Sequence, residues 1–329
     1  MDLITTNQRV FEVYLGLTAS GYDLGDPKRT AAINEIIQAA NWNPQALQYF
    51  RYANITDGRI NPYWPRASIL TLVGILIDLE PSNFNKVMIR THLAGIDNIS
   101  PEDMDDDVIN WAGTLIEQMM SLRGSQSYAD AWACYQQIVQ DEIRKKGNQY
   151  QTEILSAQDR LFDLLPFQSS PLKMTTILNP LQADPLTDIV SVQNCHYVVT
   201  SHLRTDSFIH ELIHLSIDPY LSVWKDQLLR NMDLLDSAYE PMAHLSYAWD
   251  HSYASWQNVF SETLVRVLTL LVSENEDLES QKAQIETLVQ QGFIYARPIA
   301  ETITMIKGVQ PLSDEWLKEC LRACTLIAK

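Results

Sequence analysis

Five consecutive residues, His210-Glu211-Leu212-Ile213-His214, carry side chains whose types and spacing suit hydrolytic chemistry. Residues four apart lie on the same face of an α-helix, so the two histidines can direct their imidazoles at one metal ion. Glu211 follows the first histidine, and its carboxylate can reach a water molecule on that ion. The spacing predicts a zinc site in which the ion acidifies the water and Glu211 takes its proton as a carbonyl is attacked.

The residues around this motif predict a buried helix. Histidine and glutamate side chains in a buried helix need polar partners, and a metal ion supplies one. The alternative is a surface helix with incidental histidine and glutamate residues, because short motifs also occur by chance. Apolar residues cover most of the circumference of the helix: Phe208, Ile209, Leu212, Ile213, Leu215 and Ile217.

Two histidines and a water molecule do not complete a zinc site, so a third protein ligand is expected downstream of the motif. We favour Glu262, because it lies in the strongly apolar helical segment 254–272, where a carboxylate requires a cation. Other acidic residues and histidines after the motif remain candidates for this ligand: Asp218, Glu240, His244, Asp250 and His251.

The surroundings of Glu262 leave two interpretations open. Asn258, Glu262 and Arg266 form a polar line at a spacing of four residues, so Arg266 can pair with Glu262 without any metal. Both interpretations hold together if Arg266 and Asn258 orient the ligand from outside the coordination sphere. His244 and His251, the rival ligands, lie in the Tyr- and Trp-rich segment 239–256, which could equally line a substrate cleft.

The motif followed by a glutamate on a later helix resembles the gluzincin metallopeptidases, the thermolysin-like arrangement. The sequence is more closely similar to a poorly characterised bacterial family of predicted gluzincins. This second resemblance rests on segments 210–220, 260–266 and 292–295, and it covers the C-terminal half of the chain. It implies zinc ligands His210, His214 and Glu262, with Glu211 as general base. It also implies that a strand around 196–201 could pair with an extended peptide.

Peptide hydrolysis needs a hydrogen-bond donor for the oxyanion of the tetrahedral intermediate. Gluzincins usually take this donor from a tyrosine or histidine after the third ligand, and Tyr295 is the candidate here. It follows the helix-ending Gly292, at a turn where functional side chains often project. The alternatives are that Tyr295 packs with Phe293 in the core, or that His251 is the donor.

The chain is expected to be mainly α with a small mixed β region, and zincin-like around the site. Residues 1–166 are predicted to form a helical N-terminal region, and residues 167–329 are predicted to form the zincin-like catalytic region. Short runs rich in Thr, Ile and Val predict a small sheet within 172–202. The motif helix is expected to span 206–217 and to end at Asp218-Pro219, because proline disfavours helix in the residue before it.

Composition bears on partners and location. The net charge is −17 and the sequence pI is about 4.7, without the clustered Lys and Arg that phosphate binding needs. We therefore expect a peptide or protein substrate and neither nucleic acid nor a membrane as partner; the oligomeric state stays open. The four cysteines are sparse, and neither a signal peptide nor a membrane-spanning run is found, so a cytoplasmic location is expected.

The function expected from these features is zinc-dependent hydrolysis of a peptide bond. A second hypothesis is a zincin-fold protein that binds peptides or partners, with weak or lost catalysis, because a motif alone does not establish activity. A third is a helical scaffold with an accidental motif, and it predicts that no metal is bound.

Overall fold

The computed structural model describes residues 3–54, 67–80, 84–97, 100–165, 172–184, 186–192, 194–223, 230, 241, 256–273, 278–307 and 316–327. Contacts divide the chain into two compact units. The first comprises Met1–Asn148 and Leu172–Leu203, and the second comprises Gln149–Pro171 and Arg204–Lys329. As the sequence predicted, the described chain is mainly helical with a small mixed sheet.

Helices make up most of the first unit. The core forms where α1 packs against α4 and α3, since the central residues of α1 and the run from Ile69 to Ile77 in α4 are buried. None of the described helices is long and apolar enough to cross a lipid bilayer. The described helices are α1 (Gln8–Ala19), α2 (Pro27–Ala39), α3 (Pro44–Asn54), α4 (Ser68–Leu79), α5 (Lys86–Asp97), α6 (Asp106–Gly113), α7 (Leu115–Arg123) and the part of α8 (Ser127–Leu164) up to Asn148, with a short 3-10 helix at Pro101–Asp103 between α5 and α6.

Four strands form one sheet in the first unit. They are β1 (Ile4–Thr5), β2 (Lys173–Leu178), β3 (Thr187–Val192) and β4 (Cys195–Thr200), in the spatial order β1-β2-β4-β3. β2 pairs in parallel with β1 and β4, and β3 pairs antiparallel with β4. The small mixed β region predicted within 172–202 is therefore present.

The pairing pattern corrects one expectation drawn from the gluzincin resemblance. β4, which corresponds to the predicted strand around 196–201, lies inside the sheet with β2 on one side and β3 on the other. Its backbone N–H and C=O groups are therefore directed at neighbouring strands. It has no free edge to offer an extended peptide, so the strand that was expected to bind substrate cannot do so by β-pairing.

The two observed units do not meet at residue 166, where the boundary between the helical N-terminal region and the catalytic region was predicted. Residues 172–203 group with the N-terminal helices rather than with the motif helix. The physical reason is strand pairing: β2 aligns with β1 near the N-terminus, with Ile4 opposite Thr176 and Thr5 opposite Ile177. β3 in addition packs against α4.

Among its described residues, the second unit contains the C-terminal part of α8 and five further helices. α9 packs against α10, which in turn packs against α11 and α12, and α12 packs against α13. These helices are α9 (Thr205–Val223), α10 (Trp256–Val272), α11 (Leu278–Gln290), α12 (Ala296–Lys307) and α13 (Trp316–Ile327).

The C-terminal end of the motif helix was predicted wrongly. α9 does not stop at Asp218-Pro219 but continues through Pro219 to Val223. Proline has no N–H for the helix ladder and costs about 3 kcal/mol in a helix interior. Leu221, beyond the proline, is only 2% exposed. Burial of this side chain offsets part of that cost and favours the continued helix.

Candidate metal centre

The motif helix α9 turns its apolar residues inward and its two histidines toward a partly open face. Phe208, Ile209, Leu212, Ile213 and Ile217 are buried, as the apolar pattern predicted, whereas Leu215 is half-buried. The side chains of His210 and His214 are 22% and 24% exposed. Because one turn of helix separates them, their rings meet edge to face, with centroids 4.8 Å apart.

Glu262 comes from the neighbouring helix α10. Its side chain is 12% exposed, while the flanking residues Phe260, Thr263 and Leu264 are buried. α10 and α9 pack against each other, and this packing brings the carboxylate to the imidazoles. A carboxylate in such a helix needs polar or charged partners, and Glu262 lies beside the imidazoles of His210 and His214 and the guanidinium of Arg266.

The three groups converge at distances that suit one metal ion. Glu262 Oε2 lies 3.3 Å from His214 Nε2, and Glu262 Oε1 lies 3.8 Å from His210 Nε2. One ligand atom from each of the three residues lies within 4.8 Å of the other two. Two atoms bonded to one zinc ion at about 2.0–2.1 Å in tetrahedral geometry are about 3.4 Å apart. The donor set and its spacing therefore fit zinc with small side-chain adjustments.

Further polar side chains contact these three residues from outside. Arg266 Nη2 lies 2.6 Å from Glu262 Oε1, and its guanidinium stacks over the Phe293 ring at 4.6 Å. On the other side, His214 Nδ1 lies 3.0 Å from Asp218 Oδ2. Sequence reasoning considered Asp218 only as a ligand. Its spacing of four residues from His214 was the available signal that it lies beside that histidine instead.

The electrostatic environment gives the two histidines opposite proton affinities. Burial lowers the pKa of His210 to about 4, although the nearby Glu262 carboxylate opposes the shift. Burial also acts to lower the pKa of His214, but hydrogen bonds with Asp218 and Glu262 outweigh it and raise the pKa to about 10. Glu262 itself is buried, yet the two imidazoles and Arg266 hold its pKa well below the ordinary range.

Of the remaining predicted site residues, the structure describes some and not others. Glu211 is half-buried on α9, directly after His210. Tyr295 lies in the turn before α12, as predicted, but its side chain is only 1% exposed. That burial fits the core-packing alternative, and a role as oxyanion donor stays a prediction. The side chain of Asn258 and all of His244 and His251 lie outside the described residues, as do two further ligand candidates, Glu240 and Asp250.

Comparisons of the chain with protein-family models, with curated proteins and with solved structures find no match. The resemblance to gluzincins therefore stays a prediction from the motif residues. What the molecule itself offers is a centre of two imidazoles and one carboxylate from two packed helices, with a second carboxylate and a guanidinium beside them.

Proposed function

We propose that this protein is a zinc-dependent hydrolase that cleaves peptide bonds, with a zincin-like centre in its second unit. His210, His214 and Glu262 would hold the ion, and Glu211 would be the general base. The observation that carries the proposal is the convergence of two imidazoles and one carboxylate within 4.8 Å of one another. The position of Glu211, next to the first of these imidazoles in the chain, supports it.

The donor set favours zinc over the harder cations. Calcium and magnesium prefer oxygen ligands, whereas imidazole nitrogen together with carboxylate oxygen suits zinc. Three protein ligands leave a tetrahedral ion one open position, which is typical of catalytic rather than structural zinc sites. The histidine side chains also remain 22% and 24% exposed, so the centre is open to water.

The residues of the chain have separate tasks in the proposed reaction. Arg266 pairs with Glu262 and, together with the imidazoles of His214 and His210, keeps its carboxyl ionised. Glu211 accepts a proton from the attacking water and passes it to the leaving amine, which is general acid–base catalysis. Zinc, when bound, supplies a Lewis acid that acidifies water and stabilises negative charge on the carbonyl oxygen. The choice of a peptide bond as substrate follows from the His-Glu-x-x-His motif with a later glutamate.

The test combines metal content with turnover. The purified full-length protein should contain about one zinc per chain by mass spectrometry, and it should cleave members of a mixed peptide library in a chelator-sensitive manner. Glu211→Gln should retain the zinc and lose at least about 100-fold in cleavage rate, since proton transfer by a positioned base contributes about that much. A matched control is Glu279→Gln, which changes an 83%-exposed glutamate on α11 and should alter neither quantity.

The outcomes separate the hypotheses. Zinc bound without chelator-sensitive cleavage favours a peptide- or partner-binding protein with lost catalysis. Absence of bound metal, even after incubation with zinc, favours a helical scaffold with an accidental motif. Normal cleavage by Glu211→Gln contradicts the proposed mechanism while leaving the metal site intact.

A further inference from the structure

A hydrogen-bonded chain of three side chains runs from one ligand helix to the other. Ser261 Oγ, on α10, donates to Asp218 Oδ1 on α9 at 2.9 Å. The second oxygen of the same carboxylate, Oδ2, lies 3.0 Å from His214 Nδ1. Ser261 directly precedes Glu262 in the chain. Both ends of this chain of contacts therefore lie at, or next to, a residue of the candidate metal centre.

We infer that Asp218 and Ser261 are positioning residues of the metal centre, which hold His214 in the tautomer and orientation that bind the ion. The inference rests on the proposed zinc function. A neutral imidazole has one N–H and one lone pair. A carboxylate can only accept, so in the neutral imidazole that a metal requires, the contact with Nδ1 keeps the one remaining proton there and leaves the Nε2 lone pair for the metal. Nε2 is also the atom that faces Glu262.

Asp218 needs Ser261 for this role. The Asp218 side chain is 51% exposed, and an exposed aspartate paired only with a residue one turn earlier would contribute little. Ser261 restrains the carboxylate from the opposite helix, so both of its oxygens have a partner. The hydrogen bond also ties α9 to α10 beside Glu262, and thus connects the elements that supply the three ligands.

Each side of the centre then has its own positioning contact. Arg266 holds Glu262 at 2.6 Å, and Asp218 holds His214 from the side remote from Glu262. Partners of this kind typically change metal affinity by about 10–100-fold when they are removed. The effect of Ser261 should be smaller, because Ser261 acts on His214 only through Asp218, and a single exposed hydrogen bond contributes about 1 kcal/mol, or roughly fivefold.

The experiment measures how fast zinc leaves the full-length protein when a chromophoric chelator in excess captures it. Asp218→Ala should accelerate release about 10–100-fold, and Ser261→Ala about fivefold. Ser261→Thr keeps the hydroxyl and should restore a rate close to that of the wild type. Asp141→Ala removes a 40%-exposed helical aspartate elsewhere and should leave the rate unchanged.

A double variant decides whether the two residues act in one chain. If Ser261 works through Asp218, the Asp218→Ala, Ser261→Ala protein should release zinc no faster than Asp218→Ala alone. Multiplying effects would contradict the chain of contacts. Imidazole nitrogen NMR of the zinc-loaded protein gives a readout that a purely structural role would not move: the Nδ1–H signal of His214 should be present in the wild type and weakened in Asp218→Ala.

Failure of this inference is distinguishable from failure of the proposed function. If the wild type binds no zinc, both are overturned. If the wild type binds zinc but the variants release it at the wild-type rate, only the positioning role is overturned. Should Asp218→Ala not fold, as judged by circular dichroism of the metal-free protein, Ser261→Ala and Ser261→Thr still test the role, because together they remove and restore one hydroxyl.

Discussion

In the metal-free protein, the two motif histidines should differ in charge at neutral pH. The pKa of His214 is raised to about 10 by Asp218 and Glu262 against the effect of burial. The pKa of His210 is lowered to about 4, mainly by burial. At pH 7 the imidazole of His214 is therefore protonated on both nitrogens and positively charged, whereas the imidazole of His210 carries one proton and is neutral. Unperturbed histidines would both titrate near 6.5 and would both be mostly neutral.

The raised pKa has a calculable effect on metal binding. Zinc binds only a neutral imidazole, so it must displace the proton from His214. With a pKa of about 10, this displacement at pH 7 costs about 4 kcal/mol, or about 1,000-fold in affinity. Zinc affinity should therefore rise with pH. Between pH 6.5 and 10, each added pH unit lowers the competition from the His214 proton and should strengthen zinc binding about tenfold. His210 adds no such dependence above pH 6.5, because it is already neutral.

Long-range proton–nitrogen NMR of the imidazoles checks the prediction between pH 5 and 9, with His210→Gln and His214→Gln assigning the signals. His214 should remain doubly protonated across this range, and His210 should remain neutral. Glu262→Gln should move the pKa of His214 back toward 6.5, since it removes one of the two carboxylates. Titration calorimetry at pH 6 should count about one proton released per zinc. If both histidines in the wild type titrate near 6.5, the electrostatic reasoning is refuted.

Two further predictions concern Arg266, beside the candidate metal centre, and Glu12, a buried residue of the first unit. Arg266→Ala removes the ion pair with Glu262 and should weaken zinc binding about 10–100-fold in a chelator competition. The control Arg297→Ala, at a 52%-exposed arginine, should leave the zinc affinity unchanged. Equal zinc affinities of the two variants would exclude a role of Arg266 in positioning Glu262. In the first unit, Glu12 is 0% exposed and is the shared partner of Arg9, Arg123 and Tyr128. Glu12→Ala removes this partner and should lower the free energy of unfolding by about 3 kcal/mol. Glu319→Ala, at a 52%-exposed site, should change it by less than about 0.5 kcal/mol. Urea denaturation measures this difference, and equal midpoints for the two variants would contradict the assigned burial.

Local sequence patterns predicted the secondary structure well. The strands near 175–200 follow from β-branched runs bounded by prolines, and the apolar circumference of the motif helix predicts its burial. Such predictions succeed because they depend on side chains a few residues apart. The end of α9 was predicted wrongly because the conformational cost of Pro219 is local, whereas the burial of Leu221 that offsets it is tertiary.

The choice of a third ligand marks the limit of sequence reasoning. Six residues after the motif were candidates. The apolar helix around Glu262 favoured this residue, but no distance between Glu262 and either histidine follows from the sequence. The structure places Glu262 beside both imidazoles, and it places Asp218 at Nδ1 of His214, on the side away from Glu262. Packing of α9 against α10 determines these relations, and no periodicity within either helix contains that information.

The sequence by itself determined that His210 and His214 share a helix face, that Glu211 lies beside them, and that the chain is mainly helical. Each of these follows from residues within about one turn of one another. Only the tertiary structure decided that β4 is an interior strand of the first unit, that Glu262 completes a group of three, and that Ser261 and Asp218 connect α10 to His214. These are contacts between segments far apart in the chain, and they exist because burial of apolar surface brings the segments together.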